Sequence, residues 1–359
     1  MAASDGEAEI LRSVRVLPLV DPLWTLDSKY RTSAMGGMAS FVDGRNEQKV
    51  PRSGHLVQLG LGVLRRPSTV CRGDISGSCR SPYLQSLGQI RMESYDDELK
   101  NFEAHGAAPL PTASNQGFVE HNGARIRYAT YGSGAPVILL HGGLGHSGNW
   151  GYQVPALVAS GYRAVLIDSR GHGRSTRDSR PFTYELMASD VLAVMDALQV
   201  DKAAVVGWSD GACTALILAM KTPERVAGVF FFGCNMDPSG TKEIEPSPVL
   251  ERCFGRHAKD YAQLSATPDQ FDAFVEAVGQ MMKTEPNYSA GELAYIHVPV
   301  AIVQSEHDEF IKPEHAEYLA RSIATAELKI LPGVSHFAPL QRPRQFNSVM
   351  LAFVRNVLS

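Results

Sequence analysis

The amino-acid sequence predicts an α/β protein whose mostly parallel sheet is covered by helices on both faces. Short, continuous apolar runs of strand length, such as residues 136–141 and 162–168, alternate with amphipathic segments of helix length. An uninterrupted apolar run is typical of a strand that is buried on both faces. Because parallel neighbours need a helical crossover, the alternation indicates a doubly wound sheet.

The predicted elements follow one another from residue 117 onward. Residues 117–132 predict two strands around Asn122-Gly123, a dipeptide that favours a tight hairpin turn. Residues 183–200 carry apolar side chains three or four positions apart, which predicts an amphipathic helix. Later strands and helices alternate in the same way, with strands predicted at residues 203–207, 226–233, 300–303 and 328–331.

Residues 236–298 interrupt this alternation. Prolines at 238, 246 and 248 indicate loops, and a helix follows in which Phe271, Phe274, Val278 and Met282 share one face. We therefore expect a short helical lid to be inserted here, over the end of the sheet.

The first 116 residues differ from the rest of the chain because they lack a sustained helical or strand period. We expect a disordered or loosely attached extension, with a small accessory element as the alternative, and a catalytic domain over residues 117–359. Met92 is a plausible natural start, so we predict that residues 1–91 are dispensable for solubility and activity.

Composition excludes several functional classes. The chain of 359 residues has 20% charged residues and a net charge of −4, which argues against nucleic-acid and anionic-membrane surfaces. No apolar run approaches the 18 or so residues of a membrane span. Its five cysteines contain no CxxC pair, so we expect free thiols in the cytoplasm rather than a disulfide framework or a zinc site.

A Gly-x-Ser-x-Gly pattern stands between a predicted strand and a predicted helix, at Gly207-Trp-Ser-Asp-Gly211, and occurs once in the chain. In that setting the pattern is a nucleophile elbow, a strained turn that presents a serine hydroxyl at the end of a sheet. The flanking glycines are needed because a side chain would collide within the tight turn. Ser209 is therefore the candidate nucleophile.

A nucleophilic serine needs a base and a third group that orients the base. Catalytic groups lie at the carboxyl ends of strands in a doubly wound sheet. The strand at 300–303 leads to Asp308, and the strand at 328–331 leads to His336. We predict Asp308 as the orienting acid and His336 as the base, with Glu306 and Glu309 as competing candidates for the acid.

The developing oxyanion needs two N–H donors. One is predicted at Asp210, directly after the serine, and the other in the glycine-rich segment 141–145 that follows the first long apolar strand. We choose the Gly143 N–H, with Leu144 as the alternative. We expect His141 to be structural.

Four segments together resemble the α/β-hydrolase superfamily: His141-Gly-Gly-Leu-Gly145, Asp168-Ser-Arg-Gly-His-Gly-Arg-Ser175, Gly207-Trp-Ser-Asp-Gly211, and the loops of Asp308 and His336. The likeness spans about residues 117–359. It implies an α/β-hydrolase fold, a Ser-Asp-His triad, and no metal or redox cofactor. Gly-Trp-Ser-Asp-Gly resembles the subgroup of biphenyl-hydrolase-like esterases, enol-lactonases and carbon–carbon bond hydrolases. Arg170 is expected to be part of the framework.

The residues around the elbow leave substrate choice open. The Asp210 carboxyl could favour substrates with an amino group, as the resemblance to amino-ester hydrolases suggests, or it could cap the following helix. Trp208 is predicted either to line the acyl pocket or to pack beneath the elbow. Further pocket candidates are Leu144, Phe310 and Phe337, whereas Met281 and Met282 are expected to pack between lid and core.

The combined pattern predicts a serine hydrolase that cleaves carboxylic esters or lactones of small molecules through an acyl-enzyme. A carbon–carbon bond hydrolase or enol-lactonase with the same triad is the main alternative, and a non-catalytic ligand-binding protein is another. Epoxide hydrolases and dehalogenases are excluded because they need a carboxylate nucleophile at position 209. Homo-oligomerisation is left open.

Overall fold

The computed structural model describes residues 97–359, which form one eight-stranded sheet with helices on both faces. The strands follow the apolar runs of the sequence. They are β1 (Asn115–His121), β2 (Ala124–Tyr131), β3 (Pro136–Leu140), β4 (Arg163–Ile167), β5 (Ala203–Trp208), β6 (Val226–Phe232), β7 (Val300–His307) and β8 (Ala326–Ser335).

The strand order is β1-β2-β4-β3-β5-β6-β7-β8. Strands β1 and β2 are antiparallel, as are β2 and β4, and every other neighbouring pair is parallel. The prediction of a mostly parallel, doubly wound sheet is confirmed. Strand β5, which ends at the elbow, therefore lies in the middle of the sheet, with β6 to β8 on one side.

The helices lie between the strands and in the lid. They are α1 (Asp97–His105), α2 (Gln153–Ala159), α3 (Tyr184–Ala197), α4 (Asp210–Lys221), α5 (Pro248–Leu264), α6 (Phe271–Thr284), α7 (Ala290–Leu293), α8 (Pro313–Ser322), α9 (Ala338–Gln341) and α10 (Pro343–Leu358). Short 3₁₀ turns occur at Ser147–Trp150, Pro223–Arg225, Pro238–Gly240 and Pro268–Gln270. Over the range 97–359, no helix is both long and apolar enough to cross a membrane.

Each face of the sheet has its own apolar core. Ile138 and Leu140 of β3 pack with helices α3 and α4, while Val137 and Leu139 pack with helices α2 and α10 on the opposite face. Successive side chains of a strand point to opposite faces, so a strand that is apolar throughout supplies both cores. The continuous apolar runs of the sequence follow from this arrangement.

The first hairpin has a two-residue turn, since His121 pairs with Ala124. Both turn residues have a left-handed backbone, with φ of 44° at Asn122 and 77° at Gly123. A type I′ turn requires positive φ at both central positions, and the Asn-Gly dipeptide tolerates that conformation best.

The ordered domain includes more of the N-terminal region than we expected. Helix α1 lies within the range expected to be a loose extension, but Leu99 is fully buried and Phe102 is 2% exposed. Both belong to the core that also contains Leu250 of α5 and Leu340 of α9. Two apolar residues on one helical turn are too short a pattern to detect in the sequence. Residues 1–96, including Met92, lie outside the described range.

The lid has more helices than the sequence predicted. Besides α6, it contains α5 and the short α7. Helix α5 buries Leu250, Cys253 and Tyr261 together with the polar residues His257 and Asp260. Because the buried face mixes apolar and polar residues, the apolar pattern alone does not predict α5.

Cys213 and Cys234 form a disulfide, so the expectation that all cysteines are free thiols is wrong. Cys213 lies on α4, one turn after the elbow, and Cys234 lies two residues after β6. Their Cα atoms are 6.5 Å apart, although 21 positions separate them in the sequence. The pairing arises because α4 packs beside the end of β6, and cysteine spacing alone does not report such a contact.

Candidate active site

Ser209 occupies a strained turn between β5 and α4. Its φ of 54° is left-handed, which is rare for a residue with a side chain. A Cβ atom on Gly207 would collide with the Gly211 carbonyl oxygen, and one on Gly211 would collide with the Leu140 carbonyl oxygen. The two glycines therefore permit the chain to turn and bring the half-buried Ser209 to the carboxyl end of the sheet.

His336 and Asp308 form a buried pair at the ends of β8 and β7. His336 Nδ1 lies 3.0 Å from Asp308 Oδ2, and the two residues are 4% and 2% exposed. Asp308 Oδ1 accepts hydrogen bonds from the backbone N–H groups of Phe310 and Ile311, at 2.9 and 3.0 Å. Because these bonds fix the carboxylate, the imidazole is oriented with Nδ1 toward Asp308 and Nε2 free to act as a base.

The surroundings of His336 favour its charged form. Burial by itself lowers the pKa of His336, but the nearby carboxyls of Asp308, Glu309 and Asp210 outweigh burial, so the pKa is raised from its ordinary value. A base whose charged form is stabilised can hold the proton that it takes from a nucleophile.

The neighbouring carboxylates have other partners. Glu309 Oε2 accepts the backbone N–H of His336 at 2.9 Å, and Glu306 Oε2 accepts that of Gly333 at 2.7 Å. Burial raises the pKa of Glu309. Of the three candidates for the acid, only Asp308 is hydrogen-bonded to the imidazole in the described part of the chain.

Residues that flank or hydrogen-bond Ser209 contact the His336 ring. The Ser209 N–H donates to the Phe232 carbonyl at 2.8 Å, and the rings of Phe232 and Trp208 have centroids 6.4 and 6.2 Å from that of His336. Ser209 Oγ itself makes no hydrogen bond within residues 97–359. Serine–histidine hydrogen bonds are often long in free enzymes and tighten when substrate binds.

The segment 142–145, here named the oxyanion loop, runs beside Ser209. A Cβ atom on Gly142 would lie 3.1 Å from Ser209 Cβ and 3.8 Å from Oγ. Leu144 has a left-handed φ of 61°, so this loop is strained as well. The backbone N–H groups of Gly143, Leu144 and Asp210 donate to no other group in the described range. They are free to bind a substrate oxygen.

His141 ties the oxyanion loop to the loop after β4. Its Nδ1 lies 2.8 Å from the Gly142 carbonyl, and its Nε2 accepts the Ser169 N–H at 3.0 Å. Burial lowers the pKa of His141 to about 4, so the ring is neutral at physiological pH. Both ring nitrogens are hydrogen-bonded to backbone groups, which agrees with the structural role expected of His141.

The Asp210 carboxyl points toward the oxyanion loop. Asp210 is 6% exposed, and its Oδ1 accepts a hydrogen bond from the Tyr184 hydroxyl at 2.9 Å. Its Oδ2 is buried without a hydrogen-bond partner in the described range and lies 2.7 Å from the position of a Cβ atom on Gly143. Burial raises the pKa of Asp210 to about 6. The side chain makes no capping hydrogen bond to α4.

The structure places two of the four pocket candidates at the site and buries the other two beneath it. The Phe310 ring packs edge-on against His336 with centroids 4.6 Å apart, and Leu144 lies on the oxyanion loop. Trp208 and Phe337 are 3% and 4% exposed and contact each other with centroids 5.9 Å apart, within the core beneath the elbow.

The two lid methionines also differ. Met281 is buried in the core that includes α3 and α4, as expected. Met282 places its Cε 2.8 Å from the position of a Cβ atom on Gly143. Because Met282 reaches the oxyanion loop, α6 of the lid approaches the elbow at this point.

Arg170 forms a buried ion pair with Asp190 of α3. Its Nε and Nη2 donate to the two carboxylate oxygens at 2.7 and 2.6 Å, and both residues are 1% exposed. This bidentate ion pair joins the loop after β4 to α3, and neither residue is hydrogen-bonded to Ser209. The geometry agrees with the structural role expected of Arg170.

Two residues near the site have no local signal in the sequence. Tyr184, which binds the Asp210 carboxyl, lies 26 residues upstream at the start of α3. Lys242 donates from Nζ to the Asp308 carbonyl at 2.7 Å from the loop before the lid helices. Between residues 97 and 359, no three His, Cys, Asp or Glu side chains cluster as a metal site would need.

Known proteins resemble this chain over about two thirds of its length. The family described as the α/β hydrolase fold matches residues 135–280. The serine hydrolase BPHL of Mus musculus is 28% identical over 273 residues, covering 70% of this chain and 91% of that protein. The 2-hydroxy-6-oxo-6-phenylhexa-2,4-dienoate hydrolase of Burkholderia cepacia is 27% identical over 263 residues, covering 65% and 92%.

A solved structure agrees with these relatives. Est816, described as an N-acyl homoserine lactone degrading enzyme, has a TM-score of 0.51 and 27% identity, and the match covers 66% of this chain and all of that one. The strand order, the matching family and these relatives all point the same way. The chain has the α/β-hydrolase fold and is a hydrolase.

Proposed function

We propose that this protein is a serine hydrolase that cleaves carboxylic esters or lactones of small molecules through an acyl-enzyme. The observation that carries the proposal is the combination of a left-handed Ser209 at the elbow with the buried His336–Asp308 pair on neighbouring strands. The relatives include a serine hydrolase and a lactone-degrading enzyme, which supports the same chemistry.

In this mechanism Ser209 Oγ attacks the substrate carbonyl carbon while His336 Nε2 takes the hydroxyl proton. Asp308 holds the imidazole through Nδ1 and stabilises its positive charge. The Gly143 and Asp210 N–H groups bind the oxyanion, aided by the positive end of α4. The carbon–oxygen bond then breaks, and His336 returns the proton to the leaving alkoxide.

Hydrolysis of the acyl-enzyme repeats these steps with water. His336 takes a proton from water, the hydroxide adds to the acyl carbon, and the same two N–H groups bind the second oxyanion. The acid product leaves as His336 returns the proton to Ser209 Oγ. No metal or redox cofactor takes part in this scheme. Residence in the cytoplasm stays a prediction, and the oligomeric state stays open.

The direct test is hydrolysis of p-nitrophenyl acetate by Ser209→Ala. We expect kcat to fall by about a thousandfold or more, since removing a triad residue leaves only the contribution of binding and the oxyanion hole. Ser160→Ala is a matched control, because Ser160 is exposed and bonds only within its helix turn. Retained activity in Ser209→Ala refutes the nucleophile assignment.

A fluorophosphonate probe separates the enzyme from a non-catalytic binding protein. We expect the wild type to be labelled on Ser209 and Ser209→Ala to be unlabelled. A folded wild type that the probe does not label would favour the ligand-binding alternative.

A carbon–carbon bond hydrolase is the second candidate, and the similarity to the Burkholderia cepacia dienoate hydrolase favours it. Such an enzyme would use the same residues on a 2-hydroxy-6-oxo-dienoate. Comparing kcat/KM for that dienoate, for an enol-lactone and for p-nitrophenyl acetate decides among the three reactions. A dienoate value that exceeds the ester value by tenfold or more would replace the esterase assignment.

Asp210 offers a specificity element within this proposal. Its unpartnered, buried Oδ2 beside Gly143 is suited to bind a cationic amino group on the acyl side of a substrate. A hydrogen bond to a charged group contributes about 1.5–3 kcal/mol, so Asp210→Asn should lower the preference for alanine ethyl ester over ethyl propionate by about 10- to 150-fold. Equal preference in wild type and variant would remove this part of the proposal.

A further inference from the structure

A cavity of about 430 Å³ lies outside the Ser209 site. It is bounded by strand β2, lid helix α5, the segment after α1, and the turn that follows the oxyanion loop. Ser209, Asp308 and His336 are not among its lining residues. Its volume is within the range of small-molecule sites, roughly 300–1,000 Å³.

Three arginines line this cavity: Arg127 of β2, Arg174 of the loop after β4, and Arg256 of α5. Asp260 neutralises Arg256, because Arg256 Nε and Nη2 both donate to Asp260 Oδ1, at 2.8 and 2.5 Å. The guanidinium of Arg174 is exposed and forms no ion pair within the described range. Two arginines without a bound carboxylate thus face one cavity in a protein whose net charge is −4.

Arg127 is half-buried in the wall of the cavity. Its Nη2 donates to Gln116 Oε1 at 2.5 Å, but its Nη1 is buried and has no partner among residues 97–359. Burial and the charge of Arg174 lower the pKa of Arg127, although the buried Asp168 partly offsets them. Because Nη1 is shielded, a ligand would bind the accessible part of the guanidinium, and no ion pair with a carboxylate balances the Arg127 charge within residues 97–359. An oxyanion forms the strongest hydrogen bonds with such a group.

The remaining walls suit an organic molecule. Pro109, Leu110 and Leu264 supply apolar surface, and Tyr131 and Gln263 supply neutral polar groups. The lining therefore combines cationic groups with apolar and neutral polar surface. A guanidinium fork matches both carboxylate and phosphate oxygens, which defines the ligand by its charge group.

The cavity also contacts the active-site framework. His146 lies one residue after the oxyanion loop, and its Nε2 is 3.3 Å from Asp260 Oδ2 of the lid helix. The cavity includes both residues. A molecule bound there would contact the lid and the end of the oxyanion loop at the same time.

We propose that this cavity is a binding site for a small organic anion, whose carboxylate or phosphate is held by the Arg127 and Arg174 guanidinium groups. The site is separate from the Ser209 centre, so its test does not depend on the hydrolase chemistry.

Isothermal titration of the full-length protein with citrate and, separately, with inorganic phosphate tests the site. Sodium chloride maintains the same ionic strength throughout. We expect at least one anion to bind the wild type, and the stronger of the two identifies the preferred charge group. Arg127→Gln and Arg174→Gln should each weaken that binding by about tenfold or more, as expected for a charged hydrogen bond.

Arg321→Gln is the matched control, because Arg321 is an exposed arginine of α8 whose loss changes the net charge equally. Its affinity for the anion should equal that of the wild type. Arg174 is exposed, so its variant keeps the fold and decides the question even when Arg127→Gln does not fold. The proposal is overturned if neither anion binds the wild type, or if Arg174→Gln binds as tightly as Arg321→Gln.

Discussion

The buried carboxyl of Asp210 is costly to keep ionised, and Asp210→Asn measures that cost. Asp210 is 6% exposed, and burial raises its pKa from 3.8 to about 6. That rise corresponds to about 3 kcal/mol against the ionised form. The variant should therefore gain about 3 kcal/mol of unfolding free energy at pH 8.

The sign of the effect fixes its pH dependence. The pKa of Asp210 is higher in the folded state than in the unfolded state, so folding favours the protonated group. The penalty is absent below the unfolded pKa near 4, grows as pH rises, and is complete above about 6. We therefore expect the gain in stability from Asp210→Asn to fall to roughly half by pH 5.

Urea unfolding followed by tryptophan fluorescence at pH 8 and pH 5 provides the assay. Asparagine keeps an oxygen that accepts the Tyr184 hydroxyl, so the difference reports the charge. Asp269→Asn is the control, since Asp269 is exposed in the lid and should change stability little at either pH. A variant that is less stable than the wild type at pH 8, or equally stabilised at both pH values, would refute the reasoning.

Three further predictions follow from other contacts. Because the pKa of His336 is raised, kcat/KM for p-nitrophenyl acetate should decrease at low pH, with a midpoint above about pH 6.5. Glu309→Gln should move that midpoint to lower pH, and an unmoved pH–rate profile contradicts this prediction. Arg170→Met should lower the free energy of unfolding in urea by about 3–5 kcal/mol, because it leaves Asp190 buried and unpaired. The double variant with Asp190→Leu should recover most of that loss, and an equal loss in both proteins argues against a stabilising ion pair. Cys213→Ala and Cys234→Ala should each cost about 3 kcal/mol, with no added loss in the double variant, and additive losses would show that the disulfide is not the cause.

The elbow could be predicted from the sequence because its requirements are local. The strained backbone of Ser209 needs space at two positions, and the residues at both positions are glycines within two residues of the serine. The hairpin at Asn122-Gly123 is similar, since two consecutive left-handed residues demand this dipeptide. Where a backbone constraint is satisfied by adjacent residues, the sequence reports it directly.

The pairing of the candidate acid and base could be predicted because parallel strands end at the same edge of the sheet. The shared edge indicates the loops after β7 and β8, and His336 is the one histidine in the loop after β8. The shared edge does not choose among Glu306, Asp308 and Glu309, because all three carboxylates lie within four positions of the chain. The hydrogen-bond partners in the folded chain make the distinction.

The sequence by itself determined the fold class, the strand-to-helix turn at Ser209 and the loops that meet beside it, because periodicity and turn chemistry are local properties. Only the tertiary structure decided which distant side chains touch. The Tyr184–Asp210 bond, the Arg170–Asp190 ion pair, the Cys213–Cys234 disulfide and the burial of α1 all join residues that are separated along the chain. Such contacts depend on how helices pack on the sheet, and that packing is a collective result of the whole core rather than of any one segment.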